Sequence, residues 1–422
     1  MRMHWQATVA LTLALGGCGG QSDDPMPSDD AAGSSGSATD PGEPNNDDDD
    51  DDDDRPDDGE GPDRDDDGSD GGSTGDPVDP PEPEPWVWEL PPNFPEPYVP
   101  EDNPMSAAKV ELGRYLFYDT RLSVDGTFSC ATCHQQELAF TDGAARAEGA
   151  TGMIHPRSSM TLTNVVYASS LAWGNPELLD LETHAPGPMF GDAPIELGLV
   201  DEQDAIARIA DEPVYDALFA AAYPGDDDPR TLDNMIKAIA SFQRTLISGR
   251  APFDRWFYDG DESAISASAK RGWELFNFPG ECTYCHFGFN FSDATYFPSL
   301  FEWPLPFHNT GLYNEDGRGA YPAGNEGLYN FTGEPADMGK FKSPTLRNIA
   351  VTGPYMHDGS IETLEEVLDH YAVGGRIDTP HVDFQMTTFE LTPAEVDDFM
   401  AFFDSLTDDS FLTDPALSDP WR

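Results

Sequence analysis

Two copies of the pentapeptide C-x-x-C-H constrain this chain more than any other feature. They are Cys130-Ala-Thr-Cys133-His134 and Cys282-Thr-Tyr-Cys285-His286. That spacing serves covalent attachment of a c-type haem, in which two thiols add to the porphyrin vinyl groups and the neighbouring imidazole turns onto the iron. The chain has five cysteines in all, so no further pair remains to complete a tetrahedral zinc set. Two covalently bound haem c groups are expected, one on Cys130, Cys133 and His134, the other on Cys282, Cys285 and His286. Such a chain does iron redox chemistry.

The fifth cysteine gives the address. Arg2 supplies a short basic start, residues 7–15 an apolar stretch too short to span a bilayer, and Leu15-Gly-Gly-Cys18 a lipobox. Residues 1–18 read as a lipoprotein signal peptide, with Cys18 the lipidated first residue of the mature chain. No later segment has the ~20 apolar residues of a transmembrane helix. The expectation is a periplasmic or cell-surface protein that meets the membrane, the outer one, only through its lipid anchor. Residues 19–85 are Asp, Gly, Ser and Pro, with an unbroken aspartate run at 47–54. They have almost nothing to bury and repel one another, which predicts a disordered acidic linker. The formal net charge of −58 argues against nucleic acid or anionic lipid as partners.

The remaining sequence contains an internal repeat. Gly113-Arg-Tyr-Leu116-Phe117 precedes the first haem motif and Gly272-Trp-Glu-Leu275-Phe276 the second, and each motif is followed by Phe-Thr/Ser-Asp, at Phe140-Thr-Asp142 and Phe291-Ser-Asp293. This predicts a mainly α body of two cytochrome c-like haem domains related by internal duplication, over 86–250 and 251–422. Helix signals agree. Thr392-Pro-Ala-Glu395 is a capping box with proline at the first helical position. Ser360 is placed to cap a helix with the apolar stripe Ile361, Leu364, Leu368 and Tyr371, ending near Gly374-Gly375, and residues 231–249 carry Met235, Ile239, Phe242 and Leu246 at helical spacing. No stretch reads as sheet.

An electron carrier closes both axial positions of each iron, whereas an enzyme leaves one open. The candidate sixth ligands are His155, His184, His308, His357, His370, His381, the methionines and Tyr371. Here a family resemblance becomes specific. Asn103-Pro, Lys109, Leu112-Gly-Arg, Leu116-Phe117, Asp119 and Arg121-Leu-Ser, with Ser129 before the first haem motif, resemble the bacterial dihaem cytochrome c peroxidase superfamily. So does Phe341-Lys-Ser-Pro-Thr-Leu-Arg347-Asn, followed by Gly353-Pro-Tyr-Met-His357-Asp-Gly359. The resemblance spans roughly residues 95–408. Pro188-Met-Phe-Gly, Ile195-Glu196-Leu-Gly and Asp369-His-Tyr371 are most similar to its MauG and MbnH branch.

The resemblance implies roles residue by residue. Tyr371, fourteen residues after His357, falls where typical peroxidases place an axial methionine, and an anionic phenolate favours the higher iron oxidation state. His370 would point about 100° away on the helix. Trp173 matches the tryptophan between the haems, Glu196 the distal glutamate that moves protons during peroxide cleavage, and Pro188 the residue over the open face of the first haem. His184 stands where relatives carry glutamine, as a distal acid–base group or as an iron ligand. Thr352, Pro354 and Ser158 match a calcium site, with Ser158 in place of an asparagine. Gly280 stands where MauG-type enzymes carry an exit tryptophan, leaving Trp273 or Trp303 as candidates. His155, His308 and His381 are expected to be structural.

The implied activity is that of a peroxide-dependent oxidase. Hydrogen peroxide would create a high-valent two-iron state that oxidises tryptophan in a periplasmic partner such as an MbnP-like copper-binding protein. The alternatives are a peroxidase fed by a small cytochrome or cupredoxin, and a noncatalytic dihaem electron-transfer protein.

Overall fold

Side-chain caps start the helices that carry the body. A computed structural model describes residues 86–376 and 379–422; the lipobox with Cys18 and the acidic linker 19–85 lie outside them. The described residues cluster as one compact unit. Its principal helices are α1 (Ala107–Tyr118), α2 (Leu181–His184), α3 (Pro186–Phe190), α4 (Leu232–Arg244), α5 (Pro252–Phe257), α6 (Ala267–Asn277), α7 (Leu364–Ala372) and α8 (Pro393–Asp404). The described residues contain only isolated β-bridges and no strand, as the sequence led us to expect.

Ser106, Thr231 and Ser266 each accept a hydrogen bond from the backbone N–H three residues on, satisfying one orphan donor of α1, α4 and α6. Thr392 and Glu395 form the expected capping box at α8. The helix bearing Tyr371 departs from expectation: Thr363, not Ser360, caps it, and Glu366 closes the box. Thr363-x-x-Glu366 supplies both halves of a capping box, whereas Ser360 has a threonine where the acid is needed. The helix foreseen over 231–249 ends at Arg244, and Leu246 and Ser248, beyond it, are buried without belonging to a helix.

The glycine of each G-x-x-L-F segment has a packing purpose. A Cβ at Gly113 would lie 1.9 Å from the carbonyl oxygen of Ala238, so α1 and α4 cross with their backbones almost touching. A Cβ at Gly272 would lie 2.0 Å from the carbonyl oxygen of Asp398, so α6 and α8 cross in the same way. Phe117 and Phe276, which close the two segments, are fully buried. Two apolar clusters result. One gathers Leu112, Leu116, Phe117, Met235, Ile239 and Phe242, and is joined by Phe411 and Leu417 from the end of the chain. The other gathers Phe253, Phe276, Phe291, Leu368, Phe399 and Phe402.

Asn164 and Asn348 occupy equivalent places in Thr161-Leu-Thr-Asn164 and Thr345-Leu-Arg-Asn348. Both adopt left-handed backbone and start a single 3₁₀ turn. Asn164 exchanges hydrogen bonds with the Ser248 backbone and donates to Asn290. Asn348 donates to the Ser248 hydroxyl and accepts from the Asp408 N–H. All of these groups are buried, so their pairing ties distant stretches of chain into one register.

Candidate functional site

Each C-x-x-C-H motif forms a single turn, Cys130–Cys133 as α-helix and Cys282–Tyr284 as 3₁₀, after which the histidine folds back. His134 Nδ1 donates to the carbonyl oxygen of Phe140 at 2.8 Å, and His286 Nδ1 to that of Phe291 at 3.0 Å. Both phenylalanines are buried with left-handed backbone, φ 60° and 49°. This is the task of the repeated Phe-Thr/Ser-Asp segment: a strained turn aims its carbonyl at the imidazole. With Nδ1 protonated, Nε2 keeps its lone pair. That tautomer, fixed by a backbone carbonyl, is the one a metal-ligating histidine needs.

One large cavity runs along the second motif. Cys282, Cys285, His286, Trp173 and Tyr371 line it together, as do Ser158, Thr352 and Pro354. Burial raises the Tyr371 phenol well above its ordinary pKa, so only a cation on the cavity side would draw off its proton. His370 is turned away, its Nε2 donating to the Thr310 carbonyl at 3.1 Å. His357 is buried against Phe341, ring centroids 3.6 Å apart. His357 is among the residues lining the cavity; its Nε2 is buried 4.0 Å from Asp358 Oδ2 with no hydrogen-bond partner, and burial holds its pKa near 4. Free Nε2 atoms on His134 and His286, paired thiols beside each, and an orphaned polar atom at His357 fit a haem with acidic substituents.

Trp173 donates its indole N–H to the Ser158 carbonyl at 3.1 Å, while its own carbonyl accepts from Lys342 N–H at 2.8 Å. Lys342 is buried, and desolvation pushes its amine down to about 7. Ser158 donates its hydroxyl to the Met356 carbonyl at 3.3 Å.

Around the first motif, burial pushes the Cys130 and Cys133 thiols up to about 12, and the charge of Glu196 adds to both. Glu196 is set by main-chain bonds on either side: its carbonyl accepts from Ala150 N–H at 2.7 Å, and the next N–H, of Leu197, donates to the Pro188 carbonyl at 3.0 Å. Burial raises its carboxyl above the ordinary carboxylate range. Pro188 sits in α3 and His184 ends α2. Burial holds His184 near pKa 4, with positive charge at His134 and Lys342 acting in the same direction. It is a neutral imidazole at pH 7.

Two histidines expected to be structural sit close to this chemistry. His155 Nδ1 accepts from Arg157 N–H at 3.0 Å, which leaves the proton on Nε2, 3.9 Å from Glu196 Oε1. His308 is held between Asp293 at 2.7 Å and Asp383 at 2.6 Å. Burial opposes its protonation, yet the two carboxylates outweigh burial and push it up to about 12. Cys285, Asp293 and His308 lie close enough together to suggest a metal set, but both ring nitrogens of His308 are already taken by carboxylates. His381 is exposed.

Comparison with known proteins shows the family of the chain. The family model for di-haem cytochrome c peroxidase (CCP_MauG) matches residues 107–263. The methylamine utilization protein MauG of Methylorubrum extorquens is 37% identical over 310 residues, covering 73% of this chain and 80% of that protein. The chain belongs to the dihaem cytochrome c peroxidase/MauG family. It is an oxidoreductase of the peroxide-using kind, with haem cofactors. The cytochrome-c peroxidase IdrP1 of Denitromonas iodatirespirans is equally similar, 37% identical over 336 residues, 76% of this chain and 86% of that one. Among solved structures, a MauG-like protein associated with microbial copper homeostasis superposes with a TM-score of 0.77 at 43% identity, over 80% of this chain and all of that one.

Trp303 and Trp273, the two candidate exit residues, differ. Trp273 packs among Phe253, Phe257, Phe276, Phe291 and Phe402. Trp303 stacks on Tyr296. A Cβ at Gly280 would lie 2.9 Å from the Leu275 carbonyl oxygen and 3.1 Å from Cys282 Sγ, so a side chain there would require its neighbours to shift.

Proposed function

We propose that this protein is a peroxide-driven oxidase that removes electrons from tryptophan in a partner protein, rather than a peroxidase that scavenges peroxide. The single observation that carries this reading is Tyr371, whose phenol faces the same cavity as Cys282, Cys285 and His286. The haems supply the redox chemistry, exchanging electrons with peroxide and with the donor. Cys130, Cys133 and His134 hold the first, Cys282, Cys285 and His286 the second. Glu196, its carboxyl raised toward neutrality, takes a proton from bound peroxide and returns it to the leaving oxygen. His184 and His155 are neutral hydrogen-bonding groups around that transfer. Pro188 would keep a side-chain ligand away from the haem held by His134. Trp173 passes electrons between the two sites. Tyr371 would offer a phenol oxygen to the haem held by His286, a donor that as phenolate favours the higher iron oxidation state.

The partner is a periplasmic protein presenting a tryptophan, of the MbnP-like copper-binding kind. Similarity to the structure associated with copper homeostasis supports that choice. We place the protein in the periplasm or at the cell surface, lipid-anchored through Cys18 to the outer membrane. No described helix is long and apolar enough to cross a membrane. One Ca²⁺ between the sites would take the Thr352 and Pro354 carbonyls and Ser158, oxygen donors that all line the cavity.

A second reading, a peroxidase drawing on a small cytochrome or cupredoxin, draws support from Met356 and Met386, thioethers lining the same cavity. Electron paramagnetic resonance of the diferric protein, before and after one equivalent of hydrogen peroxide without reductant, decides between them. One high-spin and one low-spin signal that vanish together support the oxidase. Two low-spin signals that persist overturn it.

A further inference from the structure

The exit position used by MauG-type enzymes is a glycine here, Gly280, so oxidising equivalents need another way out. The tryptophans differ in their suitability. Arg121 lies over the ring of Trp421 at 4.6 Å and Lys270 over that of Trp256 at 5.7 Å. A cation on the ring face opposes loss of an electron from it. Trp273 has no such cation, but its aromatic neighbours are phenylalanines, which are too hard to oxidise to carry charge onward.

Trp303 is placed differently. Its ring stacks on Tyr296 with centroids 3.8 Å apart at 25°. Tyr98 stands edge-on to both, at 5.9 Å and 6.1 Å. Tyr98 is 41% exposed, and Phe301 beside Trp303 is almost wholly exposed. Among the described residues no cation lies over any of the three rings, and Glu96 and Glu302 are close by in sequence. A short bonded route leads inward from this cluster. Trp303 Nε1 donates to the Ser169 carbonyl at 2.7 Å. The next carbonyl, of Ser170, accepts from Lys342 Nζ at 2.5 Å. Lys342 N–H donates in turn to the carbonyl of Trp173.

We propose that the Trp303–Tyr296–Tyr98 cluster is the outlet by which oxidising equivalents reach the surface from Trp173; the inference rests on Trp173 sharing them between the two sites. Hydrogen peroxide takes two electrons and two protons and leaves as two waters. Each electron supplied through the outlet leaves Trp303 and fills the vacancy at Trp173. The indole proton stays on its bond to Ser169, so this step moves an electron alone. A one-electron donor at the surface, an aromatic side chain of the partner or added ascorbate, then restores Trp303.

The test treats the diferric holoprotein with a few equivalents of peroxide without donor, follows it by paramagnetic resonance, and maps oxygen addition by peptide mass spectrometry. The expected result is loss of the ferric signals with oxygen added at Trp303, Tyr296 or Tyr98. Ascorbate should suppress that mark. In Trp303→Phe, which keeps the stack, the mark is lost from this cluster and the oxidised state lives longer; Trp303→Tyr restores part of the decay. Loss of the ferric signals with marks instead at Tyr284, Trp273 or Trp421, and unchanged decay in Trp303→Phe, would overturn the outlet while sparing the shared oxidised state. Ferric signals indifferent to peroxide would remove the underlying reading, and the outlet with it.

Discussion

Glu196 is a carboxyl held above its usual range by burial alone, with no cation paired to it. In its proposed role as acceptor of the peroxide proton it must be ionised first, so its pKa would set the acid limb of the reaction. Raised pKa and required base form together give the sign: the rate of peroxide consumption climbs with pH through a value above the ordinary carboxylate range. Stopped-flow measurement across the acid range should find that limb, and Glu196→Gln should abolish it while slowing the peroxide step roughly 10²- to 10⁴-fold. The ferric spectra of the resting variant should not change. At this scale the two haem motifs were readable because covalent chemistry fixes their spacing. Glu196, Trp173 and Tyr371 could be nominated only through neighbouring family motifs. His155 was not readable at all, since a lone histidine in a loop carries no periodicity or spacing that could aim it at a carboxylate 41 residues later; its place beside Glu196 is set by the fold.

Two helix crossings hold the elements. At Gly113 and Gly272 the obstacle to a methyl group is a main-chain carbonyl, which cannot rotate away as a side chain can. Gly272→Ala should therefore force α6 and α8 apart and destabilise the holoprotein by about 1–3 kcal/mol or more, read as a fall in thermal midpoint. Gly187→Ala is the contrasting case: it lies in α3 with open space where the methyl would go and an ordinary backbone, so its midpoint should hold or rise, a gain of roughly 0.4–1 kcal/mol. The segment G-x-x-L-F was visible as a repeat, yet its meaning was not. A glycine at helical spacing reads only as a weak helix position until the partner helix, more than a hundred residues away, is known. Caps were the easier part, because a capping box is local: Thr392 was found at once, and Thr363 was missed only because Ser360 was credited without the acid that completes a box.

At the scale of the molecule, Arg347 is the most deeply committed charge. It is fully buried, donates twice to Asp254 at 2.9 Å and once to the Phe289 carbonyl at 2.7 Å, and lies over Phe94 and Phe291. It thereby fastens α5, the chain after the second motif and the segment around Phe94 to one point. Arg347→Ala strands the Asp254 carboxylate and should cost about 3–5 kcal/mol, measurable by chemical denaturation, with the second haem's spectrum disturbed before the first's. This hub was present in the sequence as part of a motif, but its partner Asp254 belongs to none and could not be paired with it in advance. The carbonyls of Phe140 and Phe291 carry a different consequence. A neutral carbonyl polarises an imidazole less than a carboxylate does, and both histidines lean on a carbonyl through bonds of nearly equal length. The two proximal supports are chemical twins. If one iron is to meet peroxide while the other stores charge, as proposed, that inequality has to come from groups other than these two carbonyls, and the candidates are Pro188 and Glu196 for the first motif and Tyr371 for the second.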